Sequence, residues 1–350
     1  MKKTGIVKDE RYMNHLTGPG HPESPRRLEV IYDMLEDRDM QGRFQDVPAR
    51  EARMDELHLI HLPDYVNRVA STARMEYSCL DPDTDTSPGS YKAALLAAGG
   101  LCEAISMVAS GKLDNAFALV RPPGHHAEAD RSKGFCLFNN VAIGARYAQT
   151  ALHLQRILII DWDLHHGNGT QHSFETDPSI LYFSTHQYPY FPGTGACDEV
   201  GRRTGLGFTV NVPLSRGYGD GEYAAIFEKI LKSIAPEFSP DLILVSAGFD
   251  IYGGDPLGGM RVSPKGFAGL TRLIVDIAVS CCSGKVVLTL EGGYDLTGLR
   301  DSVKAVLKEL AGLSHTDYAD MALQANQAAV DRALKPVLQV NRNYWKGLTP

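Results

Sequence analysis

The stretch Asp161-Trp162-Asp163-Leu164-His165-His166-Gly167-Asn168-Gly169 gathers carboxylates, imidazoles and a carboxamide into one short run. Carboxylate oxygen and imidazole nitrogen together make a divalent-metal donor set. If the backbone stays extended, alternation puts Asp161, Asp163 and His165 on one side. A second carboxylate comes from Asp250, at the end of Ser246-Ala247-Gly248-Phe249-Asp250. We read Asp163, His165 and Asp250 as metal ligands, because three protein groups leave a fourth position open, as in catalytic zinc sites. Ligand type alone suits Fe2+ or Co2+ as well as Zn2+. Taken singly, the 161–165 charges read as a solvated loop and Asp250 as a turn or helix-cap aspartate; only the combination points to a metal.

Proton chemistry has its own candidates. His125-His126 follows Arg121-Pro122-Pro123-Gly124, and adjacent imidazoles on a rigid turn can divide the work, one carrying protons and the other stabilising charge. Asp161 and Asn168 are suited to orient those rings through their second nitrogens. Tyr294, after Gly292-Gly293, supplies a phenol for a developing oxyanion. Phe135, beside Gly134, and Phe191, before Pro192-Gly193, are aromatics in loops of the kind that line a slot. His153, His166, His172 and His186 read as structural or solvated.

These groups need strands behind them. Ile157 to Ile160 is an unbroken apolar run, as expected of a strand buried on both faces of a parallel sheet. Further strands are expected over residues 116–120, 180–183, 208–212, 241–245 and 285–290, each followed by polar residues. Helices are expected from Ser24-Pro25 to about Asp39, with Ser24 as N-cap, from Pro63-Asp64, from about Ser90 to Ser110, and over 138–152. Residues 1–23 look irregular, and 80–89 reads as an acidic surface loop. Strands alternating with helices imply an α/β chain with a mostly parallel sheet, and such sheets bind ligands beyond the carboxyl ends of their strands. His125, His126, Asp161, Asp163, His165, Ser184, His186, Asp250 and Tyr294 would then meet at one rim.

The 350 residues, 43% hydrophobic and 22% charged, have ordinary globular composition. A net charge of -7 argues against direct nucleic-acid binding and suits a cationic substrate better. Six cysteines without CxxC pairing point to reduced thiols and a cytoplasmic setting. No signal-peptide core follows Lys2 and Lys3, and no apolar run is expected to cross a membrane. No linker or repeat divides the chain, so one domain over 1–350 is expected, with a helical extension over about 315–345.

Arg121-Pro122-Pro123-Gly124-His125-His126-Ala127-Glu128, Gly134-Phe135-Cys136-Leu137-Phe138-Asn139-Asn140, the Asp161 to Gly169 stretch, Ser246 to Asp250 and Glu291-Gly292-Gly293-Tyr294 resemble the signature blocks of the zinc-dependent histone deacetylase superfamily. His21-Pro22-Glu23-Ser24-Pro25-Arg26-Arg27 is similar to it too. The matching blocks span roughly residues 10–310, are nearest to class II members, and the chain's length is similar to bacterial or archaeal ones. The resemblance implies a single arginase-deacetylase α/β domain with an eight-stranded, mostly parallel sheet flanked by helices.

It also implies roles. Zinc would sit on Asp163, His165 and Asp250, His126 would be the proton shuttle, His125 would assist electrostatically, and Tyr294 would polarise the acyl carbonyl. Asp161 and Asn168 complete the catalytic set. Gly134, Phe135, Phe191, Leu257 and Gly292 would form the substrate tunnel, with Asp83 on its rim, near Asp81 and Asp85, and Arg27 at its inner end. A structural K+ is implied at Asp161, Asp163, His165, Ser184 and Thr185. The expected reaction is hydrolysis of an acyl-lysine amide in peptides or proteins. The alternatives are an acetylpolyamine or other small acylated amine as substrate, and a silent acyl-lysine binding module. Neither oligomeric state nor natural substrate follows from these residues.

Overall fold

The computed structural model describes residues 2–348. The strands are β1 (Thr4–Val7), β2 (Gln45–Val47), β3 (Ser78–Asp81), β4 (Thr84–Thr86), β5 (Asn115–Ala118), β6 (Ile157–Asp161), β7 (Ile180–Gln187), β8 (Thr209–Leu214), β9 (Leu242–Ala247) and β10 (Val286–Leu290). Eight of them form one sheet in the order β2-β1-β5-β10-β9-β6-β7-β8. Every neighbouring pair in it is parallel. Parallel strands need crossovers, and these are largely helical. The helices are α1 (Arg26–Leu35), α2 (Met54–Leu57), α3 (Pro63–Ser71), α4 (Ser90–Ala109), α5 (Asn140–Thr150), α6 (Asn168–Phe174), α7 (Asp220–Phe238), α8 (Pro264–Cys282), α9 (Leu296–Leu310), α10 (Tyr318–Leu323) and α11 (Gln327–Asn341).

The strand order positions the site. From β5 the chain passes to β6, runs outward through β7 and β8, and returns as β9 and β10 into the gap between β6 and β5. The central strands β5, β10, β9 and β6 therefore lie side by side, and their carboxyl ends open onto His125-His126, Tyr294, Asp250 and Asp163-His165 respectively. All five residues of β6 are buried, as are all five of β10, which fits strands covered on both faces.

Several local expectations are corrected. Helix α1 starts at Arg26 with Pro25 at its N-cap, no side-chain cap from Ser24, and an end at Leu35. Beyond it the chain turns, which lets Asp37 and Asp39 reach Lys304 of α9, and Asp37 reach Arg300. Residues 80–89 are not all loop, since β3 and β4 form an antiparallel hairpin, with Ser78 facing Thr86 and the Thr86 hydroxyl donating to the Ser78 carbonyl. Residues 1–23 are not all irregular, because β1 is fully buried between β2 and β5. Ser184, Thr185 and His186 belong to β7 rather than following it. Helix α4 has the length and apolar composition of a membrane span, with a mean hydropathy of 1.5, against the expectation that no run would. It is mostly buried and packs on β1, β5 and α5, as a core helix does.

Candidate metal centre and catalytic site

Asp163 and His165 lie just past β6, and Asp250 just past β9. His165 Nδ1 is 3.2 Å from Asp163 Oδ1 and 3.1 Å from Asp250 Oδ2. Separations near 3 Å are those of donors that each stand ~2.0–2.2 Å from one shared cation. The backbone holds the carboxylates in place: Leu164 N–H donates to Asp250 Oδ1 at 2.9 Å, and Gly292 N–H to Asp163 Oδ2 at 2.9 Å. Gly292 must be glycine, since a Cβ there would meet both carboxylates. Asp250 Oδ2 is buried without a hydrogen bond. Burial and the adjacent Asp163 push Asp250 up to about 7, so two anions here call for a cation. The donor set fits a metal: Asp163, His165 and Asp250 form a ligand cluster with donor atoms within 4.8 Å of one another.

Two imidazoles stand over this cluster with opposite electrostatics. His125 Nδ1 faces Asp161 Oδ2 at 3.0 Å, and Tyr182 donates its hydroxyl to the same oxygen at 3.0 Å. Burial alone would lower His125, but Asp161 and Asp163 outweigh it and raise the imidazole to about 10. His126 Nδ1 faces Asn168 Oδ1 at 2.8 Å. Burial, then the charges of His125 and His165, hold His126 well below 6.5, so it stays neutral. The acids thus favour charge on His125, whereas burial and the neighbouring rings disfavour it on His126.

The loop carrying them is tied down by Glu291. Its Oε2 accepts the Gly124 N–H at 2.6 Å and the His125 N–H at 3.2 Å, while Oε1 accepts the Ser246 hydroxyl at 3.0 Å. Burial raises Glu291 to about 7 despite the His125 charge. Behind it Arg27 donates to the carbonyls of Gly293 at 2.7 Å and Glu291 at 2.5 Å and lies 5.1 Å from the Tyr294 ring. Arg27 shares the buried carboxylate of Glu23 with Arg121.

A narrow cavity of about 100 Å3 leads down to these groups, lined by Asp83, Gly134, Phe135, Phe191, Leu257, Gly292 and Tyr294 together with His125, His126 and His165. Phe191 meets His126 edge to face at 5.1 Å, and Phe135 meets Tyr294 at 5.9 Å. Gly134, at φ +54°, has no room for a Cβ because the His126 ring occupies the space. Asp83 Oδ1 accepts the Gly134 N–H at 3.1 Å, which singles it out from Asp81 and Asp85, since neither lines the cavity. Burial pushes the Tyr294 phenol well above 10, and it remains a donor. A larger apolar groove, about 1020 Å3, runs between α7, α10 and α11, with none of these groups in it.

Residues 21–310 match the model of the histone deacetylase domain. The chain belongs to the histone deacetylase family. It is 40% identical to "Histone deacetylase 15" of Arabidopsis thaliana over 354 aligned residues, covering 99% of this chain and 63% of that protein. It is 37% identical to "Histone deacetylase clr3" of Schizosaccharomyces pombe, covering 100% of this chain and 53% of that protein. The chain thus spans only about half to three-fifths of these relatives. The crystal structure of the HDA15 HD domain superposes with a TM-score of 0.90 at 40% identity, covering 99% of this chain and 96% of that one.

Every expected tunnel residue of this histone deacetylase family chain lies on the cavity, and the three expected metal ligands converge. Asp161 and Ser184 are neighbours in register across β6 and β7, although Ser184 Oγ is within 2.9 Å of His186 Nδ1. His166 and His186 are buried structural residues, and His172 lies at the surface against Glu128. Sequence reasoning gave no role to Glu291, Glu128, Tyr190 or Asp255. The first two sit inside the quoted blocks, where an acid beside a histidine or a glycine pair was the available signal. Tyr190 stacks on His165 at 5.7 Å, and a tyrosine in a proline-rich loop carries no such mark.

Proposed function

We propose that this chain is a zinc-dependent deacylase that hydrolyses the amide of N-acetyl-lysine, or another short acyl-lysine, in peptides or proteins. The observation that carries the reading is the meeting of the Asp163, His165 and Asp250 triad with His126 and Tyr294 at the floor of a slender cavity. Curated relatives named histone deacetylases support it.

Asp163, His165 and Asp250 would hold the zinc, which when bound supplies Lewis-acid polarisation of the acyl carbonyl and of water. The chain's own groups do the rest. His126, with Nδ1 occupied by Asn168, presents Nε2 as general base and takes a proton from the attacking water. As the carbon-oxygen bond forms, the Tyr294 hydroxyl donates to the developing oxyanion, and the His125 imidazolium adds positive charge. His126 then returns the proton to the departing amine as the carbon-nitrogen bond breaks, leaving a carboxylate and a free lysine. Phe135 and Phe191 exclude water from the neutral methylene chain. By family resemblance, a structural K+ at Asp161, Asp163, His165, Ser184 and Thr185 belongs to the same reading.

A second substrate class, acetylpolyamines, is favoured by one observation, the acidic Asp81-Asp83 hairpin beside the mouth. The apolar Leu257 on the cavity favours the neutral acyl-lysine chain. Turnover of zinc-loaded protein on an acetyl-lysine peptide panel and on acetylspermidine decides between them. Higher kcat/KM on the peptides is expected; no release of acetate from any peptide by fully loaded protein would refute the proposal.

A further inference from the structure

Glu128 lies two residues beyond His126 and has no part in the chemistry above. Its backbone is fixed: the N–H donates to the Arg131 carbonyl at 2.9 Å, and its own carbonyl faces His61 Nδ1 at 2.9 Å. Its carboxylate is largely buried and sits between two side chains. Oε1 accepts from Asn168 Nδ2 at 2.6 Å, and both oxygens lie 2.9–3.0 Å from His172 Nδ1.

The short bond to Asn168 decides how that amide points. A carboxamide has one end that only donates and one that only accepts. Both neighbours of Asn168 Nδ2 are acceptors, the Glu128 carboxylate at 2.6 Å and the His126 carbonyl at 3.2 Å. The ionised group is nearer and the stronger partner. With Nδ2 held there, Oδ1 must face His126 Nδ1, where it sits at 2.8 Å. An acceptor opposite Nδ1 keeps the imidazole proton on Nδ1 and leaves the lone pair on Nε2. Were the amide turned over, a donor would face Nδ1, the proton would move to Nε2, and that nitrogen could no longer accept one.

We propose that Glu128 is a positioning residue, locking the Asn168 amide and through it the His126 tautomer whose Nε2 is free to accept a proton. The inference rests on His126 as the proton carrier of the proposed deacylation. Like a second support behind a ligand, it acts at one remove from the substrate. Its signature is reciprocity, because the acceptor and donor on the two side chains can be exchanged.

The test uses zinc-loaded wild type, Glu128→Gln, Asn168→Asp and the double variant. In Glu128→Gln the new amide can present either end to Asn168, and kcat is expected to fall about ten-fold with KM within about two-fold. Asn168→Asp sets carboxylate against carboxylate and should lose at least as much. In the double variant the new amide donates to the new carboxylate, although the carboxylate oxygen there still faces the His126 carbonyl that Asn168 Nδ2 serves at 3.2 Å in the native chain, so the rescue is partial. Its kcat should exceed that of Asn168→Asp by about three-fold or more, a non-additivity expected of side chains in one network.

Two readouts separate this from general damage: in Glu128→Gln, bound zinc and melting temperature should be unchanged. The tautomer is read without substrate from 15N spectra of histidine-labelled protein, with the His126 proton on Nδ1 in wild type and shared with Nε2 in Glu128→Gln. Additive losses in the double variant, or wild-type spectra and kcat in Glu128→Gln, overturn the proposal. If wild type turns over no acyl-lysine peptide, the deacylase reading falls by itself, and the spectra still decide the tautomer.

Discussion

Asp255 Oδ2 accepts the backbone N–H of Tyr294 at 2.6 Å. Through Oδ1 the same carboxylate accepts the N–H of Leu257 at 2.9 Å. One acid thus sets both the phenol at the floor of the cavity and the apolar residue at its wall. Leu257 is held from the other side as well, its carbonyl accepting from the Tyr190 hydroxyl at 3.0 Å. Side chains at 257 and 294 can therefore be changed without releasing the backbone that carries them.

Tyr294→Phe removes a hydroxyl that has no hydrogen-bond partner among the described residues, so folding should be unaffected. Loss of one oxyanion donor costs ~2.7–4 kcal/mol, about 100- to 1000-fold in kcat, with KM little changed. Steady-state kinetics on an acetyl-lysine peptide measure this, and an unaltered kcat would remove Tyr294 from the chemistry.

Leu257→Glu puts a carboxylate on the cavity. At about 5 Å from a substrate ammonium, with an effective dielectric near 20, it contributes roughly 3 kcal/mol before desolvation, on the order of 100-fold. The ratio of kcat/KM for acetylspermidine to that for acetyl-lysine peptide should rise by up to this factor. A ratio that does not move would show that residue 257 lies outside the path of the substrate's charge.

Asp250→Asn deletes a ligand whose free oxygen is buried 3.1 Å from His165 Nδ1. Zinc affinity should fall by more than the about 10- to 100-fold typical of losing a group that only supports a ligand. Metal analysis after dialysis against a weak chelator reads it directly. Stoichiometric zinc with normal turnover would show that the metal is held elsewhere.

Glu23 is fully buried against Arg121, Arg27 and His15. Burial opposes its ionisation, but Arg121 and His15 outweigh that and hold the carboxyl well below 4.5. A depressed folded-state pKa gives stability that is complete above the unfolded value and is lost as pH falls through the folded one. Glu23→Gln in metal-free protein should cost about 3–5 kcal/mol at pH 7, by leaving buried guanidinium charge uncompensated. The gap to wild type should narrow as pH falls below about 4.5. Urea denaturation at several pH values follows it, and a gap independent of pH would mean Glu23 is not ionised in the fold.

What could be read from the sequence follows the physics of each signal. β6 and β10 were legible because strands buried on both faces keep an unbroken apolar run. The four-residue β1, framed by lysines, and the β3-β4 hairpin, whose tip carries Pro82 and Asp83, were not, since short strands leave too little periodicity against strong turn residues. Asp163, His165 and Asp250 were legible as a donor set because metal binding demands particular atoms. Glu291 and Asp255 were not, because each acts on backbone N–H groups distant in sequence, and a carboxylate that anchors a loop looks in sequence like any other acid.

The cavity's size has a consequence for selection. At about 100 Å3 it is smaller than the ~300–1,000 Å3 of an ordinary ligand cleft. Its walls are the Phe135 and Phe191 rings, and a glycine whose added Cβ would collide with His126. Under the proposed function such a bore would gauge calibre, admitting an unbranched methylene rod and stopping a branched or ring-bearing one at the entrance. Whatever the rod is attached to stays outside, so the bore itself cannot tell one carrier chain from another. Any discrimination among carriers has to be made on the outer collar, where Asp83 and Tyr190 stand.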